Sequence, residues 1–229
     1  MLPADLSAAE DQTRQALAAA LAADAAGRWS IDWRFEGLRL LPPVLRLLQH
    51  QLELGQATTL LFSDAGGAAL GRRDAPELAD AILDFRQLQQ RQQQQPSDGV
   101  LLVLSPSAAD YETFEALCGA HRGAVVMLNG RLEDAAVGIG SVARERRRGF
   151  VATWKSAYWL QPLEGGALRQ ACPEPWQLYR QDPDGYRWIT SFEQKPDAEA
   201  IGAALSGDGG TGVSGTLRAV DTLLEGLRN

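Results

Sequence analysis

Hydrophobic and polar positions near the start of the chain predict two helices with a strand between them. A capping box that begins at Ser7, followed by leucines at helical spacing, predicts a first helix that ends at Gly27. The stretch 29–35 (WSIDWRF) alternates apolar with polar residues, which is the pattern of a half-buried strand. A pair of prolines then begins a second predicted helix over residues 42–55.

Three short apolar runs without alternation predict strands that are buried on both faces. They are ATTLLFSD (57–64), VLLVLSP (100–106) and AVVMLNG (124–130), and predicted helices follow the first two, the first of them over 66–85. Buried strands that alternate with helices are typical of a parallel sheet. We therefore predict an α/β fold, a three-layer Rossmann-like domain with a mostly parallel sheet. The glutamine-rich run 87–95 is too polar to bury anything and is predicted to be a mobile insertion or a frayed helix end.

Beyond residue 150 the pattern changes to aromatic-rich strands, which predict an antiparallel extension of the sheet. These strands are predicted over 151–163, 175–181 and 186–194. A single α/β domain over 1–206 then has a parallel part (1–150) and an antiparallel strand addition (151–195). A glycine-rich linker and a last helix fill 207–229.

Composition and charge restrict the classes of function. A net charge of −7 argues against a general nucleic-acid binder, so any basic site must be a local patch. Two cysteines, Cys118 and Cys172, are too few for a disulfide framework, and no set of metal ligands accompanies the Cys118–His121 pair. We therefore expect no metal and no cofactor. The chain has no long apolar run and its start does not resemble a signal peptide, so we expect a cytoplasmic protein whose membrane contact is peripheral.

The segment ARERRRG (143–149) is the most distinctive charged feature of the sequence. By helical spacing Arg144, Arg147 and Arg148 lie on one face, while Arg146 points away. Guanidinium groups bind phosphates and carboxylates in a bidentate manner, so we predict that this face binds a protein partner or an anion. Asn129 and Arg131, on the preceding loop, belong to the same predicted site. The alternative is a solvated helix face beside an aromatic strand in which Tyr158 and Trp159 face opposite sides of the sheet.

A second candidate site lies where the predicted parallel strands end, because open α/β sheets usually bind ligands there. Asp64 and Ser105 follow two of these strands, and Gly138 and Gly140 belong to a GIGSVA segment that formally matches a dinucleotide fingerprint. That segment does not follow the first strand, so dinucleotide binding is disfavoured. The alternative for Asp64 and Ser105 is an ordinary role as helix cap and turn former.

No catalytic motif is present, and we assign no catalytic residue. The nucleophile elbow, the P-loop and the zinc-protease motif are all absent, and both histidines lie in predicted helices. The favoured class of function is therefore a non-enzymatic interaction protein, and the alternative is a small-molecule or nucleotide-binding domain. The partner and the oligomeric state stay open.

Four segments together resemble a family of domains of unassigned function in cyanobacteria and chloroplasts. They are LPADLSAAEDQTRQAL, LFSDAGGAALGRRD, VVMLNGRLEDAAVGIGSVARERRRGF and YWLQPLEGGALRQACPEPWQLYRQ, and they span most of residues 2–200. The family includes the Low Photosystem Two Accumulation Three proteins and a domain appended to a chloroplast adenylate kinase. The resemblance implies a photosynthetic organism, a role in photosystem II biogenesis, a photosystem subunit or assembly intermediate as partner, and association with the thylakoid surface. It implies no catalytic residue.

Overall fold

The computed structural model describes residues 1–132 and 141–207, and for residues 141–144, 146 and 147 it describes the backbone alone. These residues form seven α-helices, nine β-strands and two 3₁₀ helices. The helices are α1 (Leu6–Ala23), α2 (Leu41–Glu53), α3 (Ala65–Asp74), α4 (Phe85–Gln94), α5 (Tyr111–Ala120), α6 (Ser141–Ala152) and α7 (Ala198–Gly207). The strands are β1 (Arg28–Trp33), β2 (Thr58–Phe62), β3 (Ile82–Asp84), β4 (Val100–Leu104), β5 (Ala124–Leu128), β6 (Lys155–Leu163), β7 (Gly166–Ala171), β8 (Trp176–Asp182) and β9 (Gly185–Phe192). The 3₁₀ helices are Pro76–Ala81 and Ala108–Asp110.

The strands of the described residues form one sheet in the order β3-β2-β4-β5-β1-β6-β7-β8-β9. The pairs β2–β3, β2–β4, β4–β5 and β1–β5 are parallel. The pairs β6–β7, β7–β8 and β8–β9 are antiparallel. The predicted α/β fold, with a mostly parallel sheet and antiparallel carboxyl-terminal strands, is confirmed.

The apolar runs of the parallel strands lie in the core, as predicted. Leu60, Leu102 and Val126 have no exposed surface, and burial on both faces explains why these runs do not alternate. The prediction for the end of β1 is wrong, because Asp32 is buried on the face expected to be polar. Its carboxylate forms an ion pair with Arg34 at 2.6 Å, which compensates the charge.

Two stretches fold differently from their prediction. Within the predicted helix 66–85, Ile82–Asp84 leaves the helical path and pairs with β2 as strand β3. Residues 87–94 of the glutamine-rich run belong to the regular helix α4, and the run does bury a side chain, that of Leu88. A capping box between Asp84 and Gln87 begins α4, so the polar run is continuous with a well-capped helix.

The described residues divide into two compact units. The parallel-strand unit comprises residues 20–31 and 40–155, and the antiparallel-strand unit comprises residues 1–19, 32–39 and 156–207. Residues 208–229, which include almost all of the predicted linker and last helix, lie outside the described residues.

An aromatic cluster joins α4, α5 and α6 in the core of the parallel-strand unit. The ring of Phe114 lies 6.1 Å from that of Phe85, 5.9 Å from that of Phe150 and 5.6 Å from that of Trp154, measured between centroids. Aromatic pairs at such distances contribute about 0.5–1.5 kcal/mol each beyond their buried area. These contacts hold the first turn of α5 beside the last turn of α6.

The two aromatic residues in the middle of β6 are both buried, and they have different partners within the antiparallel-strand unit. Trp159 packs against Trp176 at a centroid distance of 5.6 Å, in a cluster to which α7 contributes Leu205. Tyr158 instead donates its hydroxyl hydrogen bond to Gln12 Oε1 at 3.3 Å. The prediction that these neighbours face opposite sides of the sheet, with at least one of them packed, agrees with this arrangement.

A polar network surrounds a buried arginine in β7, a strand that the hydrophobic pattern does not predict. Arg169 has 5% of its surface exposed. Its Nε donates to Gln12 Oε1 at 2.9 Å, and its Nη1 donates to Gln177 Oε1 at 2.8 Å and to Glu174 Oε2 at 2.5 Å. The guanidinium is thus satisfied by two neutral amides and one carboxylate, as a buried cation requires.

Candidate functional site

The neighbouring strands β4 and β5 both end in a residue with left-handed backbone conformation. Ser105 has φ 47° and Asn129 has φ 51°. The register pairs Leu104 with Leu128, so these two residues follow the strands at the same level, and Ser105 N–H donates to the carbonyl of Leu128 at 2.8 Å. Left-handed backbone is uncommon outside glycine, and strained conformations of this kind cluster at functional sites. The matched pair marks this edge of the sheet as the candidate functional site.

Backbone contacts hold the two loops that follow these strands side by side. Arg131 N–H donates to the carbonyl of Pro106 at 2.9 Å, and Ser107 and Arg131 form a parallel bridge. Ser107 is itself held by Asp110, whose carboxylate accepts from the Ser107 amide at 2.9 Å and from its hydroxyl at 2.7 Å. Ser105 and Arg131 remain exposed, while Asn129 is half-buried. The loops are therefore fixed at the backbone level and present polar side chains at their surface.

Two acidic residues at the carboxyl ends of β2 and β3 act as helix caps. Asp64 is the N-cap of α3 and accepts the Gly67 amide at 2.9 Å. Asp84, which sequence reasoning did not single out, caps α4 and accepts the Gln87 amide at 2.8 Å. The Asp-x-x-Gln spacing of the second cap was visible in the sequence. Both carboxylates accept hydrogen bonds from free amides in the first turn of a helix, as the capping alternative for Asp64 predicted.

The arginine site is described in part. The predicted helix that carries it is α6, and Arg148 is exposed there, as is Arg131 on the loop after β5. Within the described residues neither arginine forms an ion pair or a side-chain hydrogen bond. The side chains of Arg144 and Arg147, and residues Gly138 and Gly140, lie outside the described residues.

His121 and Cys118, which both have displaced pKa values, lie away from this edge and are buried. His121 follows α5, and its Nδ1 lies 2.7 Å from Ser97 Oγ while its Nε2 lies 3.2 Å from the carbonyl of Gly99. Burial lowers the pKa of His121. Burial likewise raises the pKa of the Cys118 thiol to about 12, so this thiol stays protonated at neutral pH. No group of three or more potential metal ligands occurs among the residues described.

Fold and site together define an α/β protein whose strands β4 and β5 end in matched residues with left-handed backbone. The chain belongs to the family described as Domain of unknown function (DUF1995), whose model matches residues 3–203. No curated protein matches it. Among solved structures, one similar chain is the flagellar accessory protein FlaH from Methanocaldococcus jannaschii, at 9% identity and a TM-score of 0.34. That match covers 73% of this chain and 91% of FlaH. In the described part of the chain, no helix is both long and apolar enough to span a membrane.

Proposed function

We propose that the protein is a non-enzymatic interaction factor that holds a protein partner during the biogenesis or regulation of photosystem II in a photosynthetic organism. The observation that carries the proposal is the pair of exposed arginines, Arg131 and Arg148, which have no ion-pair partner among the described residues. Helical spacing in the sequence predicts that Arg144 and Arg147 lie on the same face of α6 as Arg148. The photosynthetic context rests on the resemblance of four sequence segments. In this context the protein works in the cytoplasm, at or near the thylakoid surface.

Arginine is suited to anchor such an interface. Its planar guanidinium forms bidentate hydrogen bonds with carboxylates and is enriched among the residues that dominate binding energy. On a chain with a net charge of −7, a local basic surface also orients an acidic partner during encounter. An acidic surface on a photosystem subunit or assembly intermediate is the partner that this chemistry fits.

A non-enzymatic role is also supported by what the polar groups of the edge do. Asp64, Asp84 and Asp110 all accept backbone amides at the starts of helices or turns. Away from this edge, His121 is buried between Ser97 and a backbone carbonyl. These four titratable side chains are thus engaged in holding the fold.

Affinity purification from a cyanobacterial lysate, with quantitative mass spectrometry, tests the proposal. Wild-type protein is compared with the double variant Arg131→Glu/Arg148→Glu and with the matched control Arg86→Glu, which reverses an exposed charge on α4. We expect photosystem II subunits to be enriched by wild type and by the control, and to be lost with the double variant. Equal recovery with all three proteins, or no photosystem subunit with wild type, would refute the proposal.

A second candidate function is binding of a small phosphorylated molecule at the ends of β4 and β5. The matched left-handed residues Ser105 and Asn129 favour it, because backbone strain accumulates where a ligand is held. A thermal-shift panel of nucleotides and phosphometabolites tests this function, with a saturable rise of several degrees as the expected result. Asn129→Gly keeps the backbone conformation but removes the amide, so it should abolish the rise. A flat panel excludes this candidate.

A further inference from the structure

A cavity of about 490 Å³ lies between α5, α6 and the start of β1 in the parallel-strand unit. Arg28 and Glu115 line it with opposite charges, Phe150 contributes an aromatic surface, and Gly119 and Gly149 contribute backbone without side chains. Pockets that hold small molecules have volumes of roughly 300–1,000 Å³. The cavity is open to solvent, since Gly119, Gly149 and Thr153 are exposed, and its volume is within the range of small-ligand sites.

Arg28 supplies a positively charged group that is oriented but not neutralised. Its Nη1 donates to Thr153 Oγ1 at 3.1 Å, and its Cζ lies 4.9 Å from the centroid of the Phe150 ring. Within the described residues no carboxylate lies at ion-pair distance from it. Because a guanidinium has several N–H donors in a planar fork, the remaining donors match a carboxylate.

Glu115 supplies the opposite charge in the same cavity and is half-buried. Both charges also act on the thiol of Cys118 in the core. Burial is the main reason that its pKa is raised, Arg28 lowers this pKa and Glu115 raises it. Glu115 already interacts with another group. A carboxylate has about four acceptor sites, however, and can accept an ammonium group in addition.

The helix ends around the cavity favour a positive group beside Glu115. Gly119 lies in the last turn of α5 and Gly149 in the last turn of α6, so the carbonyl ends of both helices adjoin the cavity. Helix carboxyl ends carry a partial negative charge that stabilises cations. We propose that this cavity binds a small zwitterion of the α-amino acid class, with its carboxylate on Arg28 and its ammonium group beside Glu115. The site goes beyond the proposed partner binding and does not depend on it.

The glycines make the proposal testable without damage to the core. A Cβ atom added at Gly119 or at Gly149 would meet no heavy atom within 4 Å, so both positions open onto free space. A larger side chain at Gly149 would extend into the cavity and exclude a ligand. Gly202 in α7 offers a matched control. An added Cβ there also meets nothing within 4 Å, but Gly202 does not line the cavity.

Titration of the ¹⁵N-labelled chain with L-leucine, N-acetyl-L-leucine and L-leucinamide measures whether both charges of the ligand are used. L-leucine should shift the amide resonances of Gly119, Gly149 and Thr153 saturably at roughly millimolar concentrations. N-acetyl-L-leucine lacks the ammonium group and L-leucinamide lacks the carboxylate, so each should bind at least tenfold more weakly. No saturable shift with L-leucine, or equal shifts with either derivative, would overturn the proposal.

Variants of the chain identify the site. Arg28→Gln should weaken L-leucine binding at least tenfold, and Gly149→Leu should abolish it. Gly149→Ala and Gly202→Leu should leave it unchanged within twofold. If Arg28→Gln does not fold, the Gly149→Leu and Gly202→Leu pair still decides the matter. Retained binding in Gly149→Leu, with the spectrum of a folded protein, places the ligand elsewhere and overturns the assignment.

Discussion

The hydrogen-bond partners of the buried Arg169 in the antiparallel-strand unit differ in how much they should contribute to folding stability. Arg169 is bound by the neutral amide oxygen of Gln177 at 2.8 Å and by the carboxylate of Glu174 at 2.5 Å. The side chain of Arg169 is 6% exposed, while that of Glu174 is 49% exposed. We predict that removing the neutral amide destabilises the fold more than removing the formal ion pair.

The magnitudes follow from solvent exposure. A hydrogen bond to a buried charged group contributes about 1.5–3 kcal/mol to stability, and an orphaned polar partner adds about 1–3 kcal/mol. Gln177→Met removes the acceptor of Arg169 and also that of the Tyr179 hydroxyl, which donates to Gln177 at 2.8 Å. We therefore expect the free energy of unfolding to fall by about 3 kcal/mol. Glu174→Gln weakens a largely solvated ion pair, which is typically worth about 0–1 kcal/mol.

Urea denaturation of wild type, Gln177→Met and Glu174→Gln measures the difference. Tryptophan fluorescence is a suitable signal, because Trp176 precedes Gln177 in the same strand and is buried. Equal dependence of the unfolding free energy on urea concentration would confirm that the three proteins unfold from comparable states. A loss of stability in Glu174→Gln that equals or exceeds the loss in Gln177→Met would refute the reasoning.

Three further predictions concern other parts of the chain. Burial lowers the pKa of His121, so its contribution to stability is complete above the unfolded value of about 6.5 and is lost as the pH falls through the folded value. The melting temperature should therefore fall on acidification, and less so in His121→Asn. Ser105→Gly should stabilise the fold by up to about 1 kcal/mol because glycine relieves the left-handed backbone, whereas Ser105→Ala should not, as thermal unfolding would show. Leu88→Ala in α4 should cost about 3 kcal/mol in urea denaturation, and Gln90→Ala, at an exposed position of that helix, about 0.5 kcal/mol or less.

The parallel strands could be predicted from the sequence because burial on both faces requires an uninterrupted run of apolar residues. The runs that became β2, β4 and β5 are apolar throughout, and their bounds differ from the predicted ones by only a few residues. Strand β3 left no such trace. It contributes only three residues, which lie within a helix-favouring stretch. These residues form a strand because they pair with the edge of β2, where Ile82 lies opposite Leu60. Tertiary pairing thus overrides local propensity.

Strand β7 was missed for a different reason. Its sequence, GALRQA, has polar residues at positions that a pattern assigns to solvent, yet Arg169 and Gln170 are 5% and 7% exposed. Arg169 can be buried because it is satisfied by Gln12 of α1, Gln177 of the neighbouring strand β8 and Glu174 in the turn between β7 and β8. A hydrophobicity pattern carries no information about such partners, so buried polar strands are invisible to it.

The candidate functional site shows the same division between local and long-range information. Ser105 and Asn129 are each common turn formers, and the sequence placed both at strand ends. That they follow the two strands at the same level is shown only by the register of β4 against β5, and the positive φ of both only by the structure. Glycine would adopt this backbone with the least strain at either position. Ser105 and Asn129 therefore carry polar side chains, at a conformational cost, on the edge where α/β sheets bind their ligands. This makes them the first residues to mutate in a search for a ligand of the sheet.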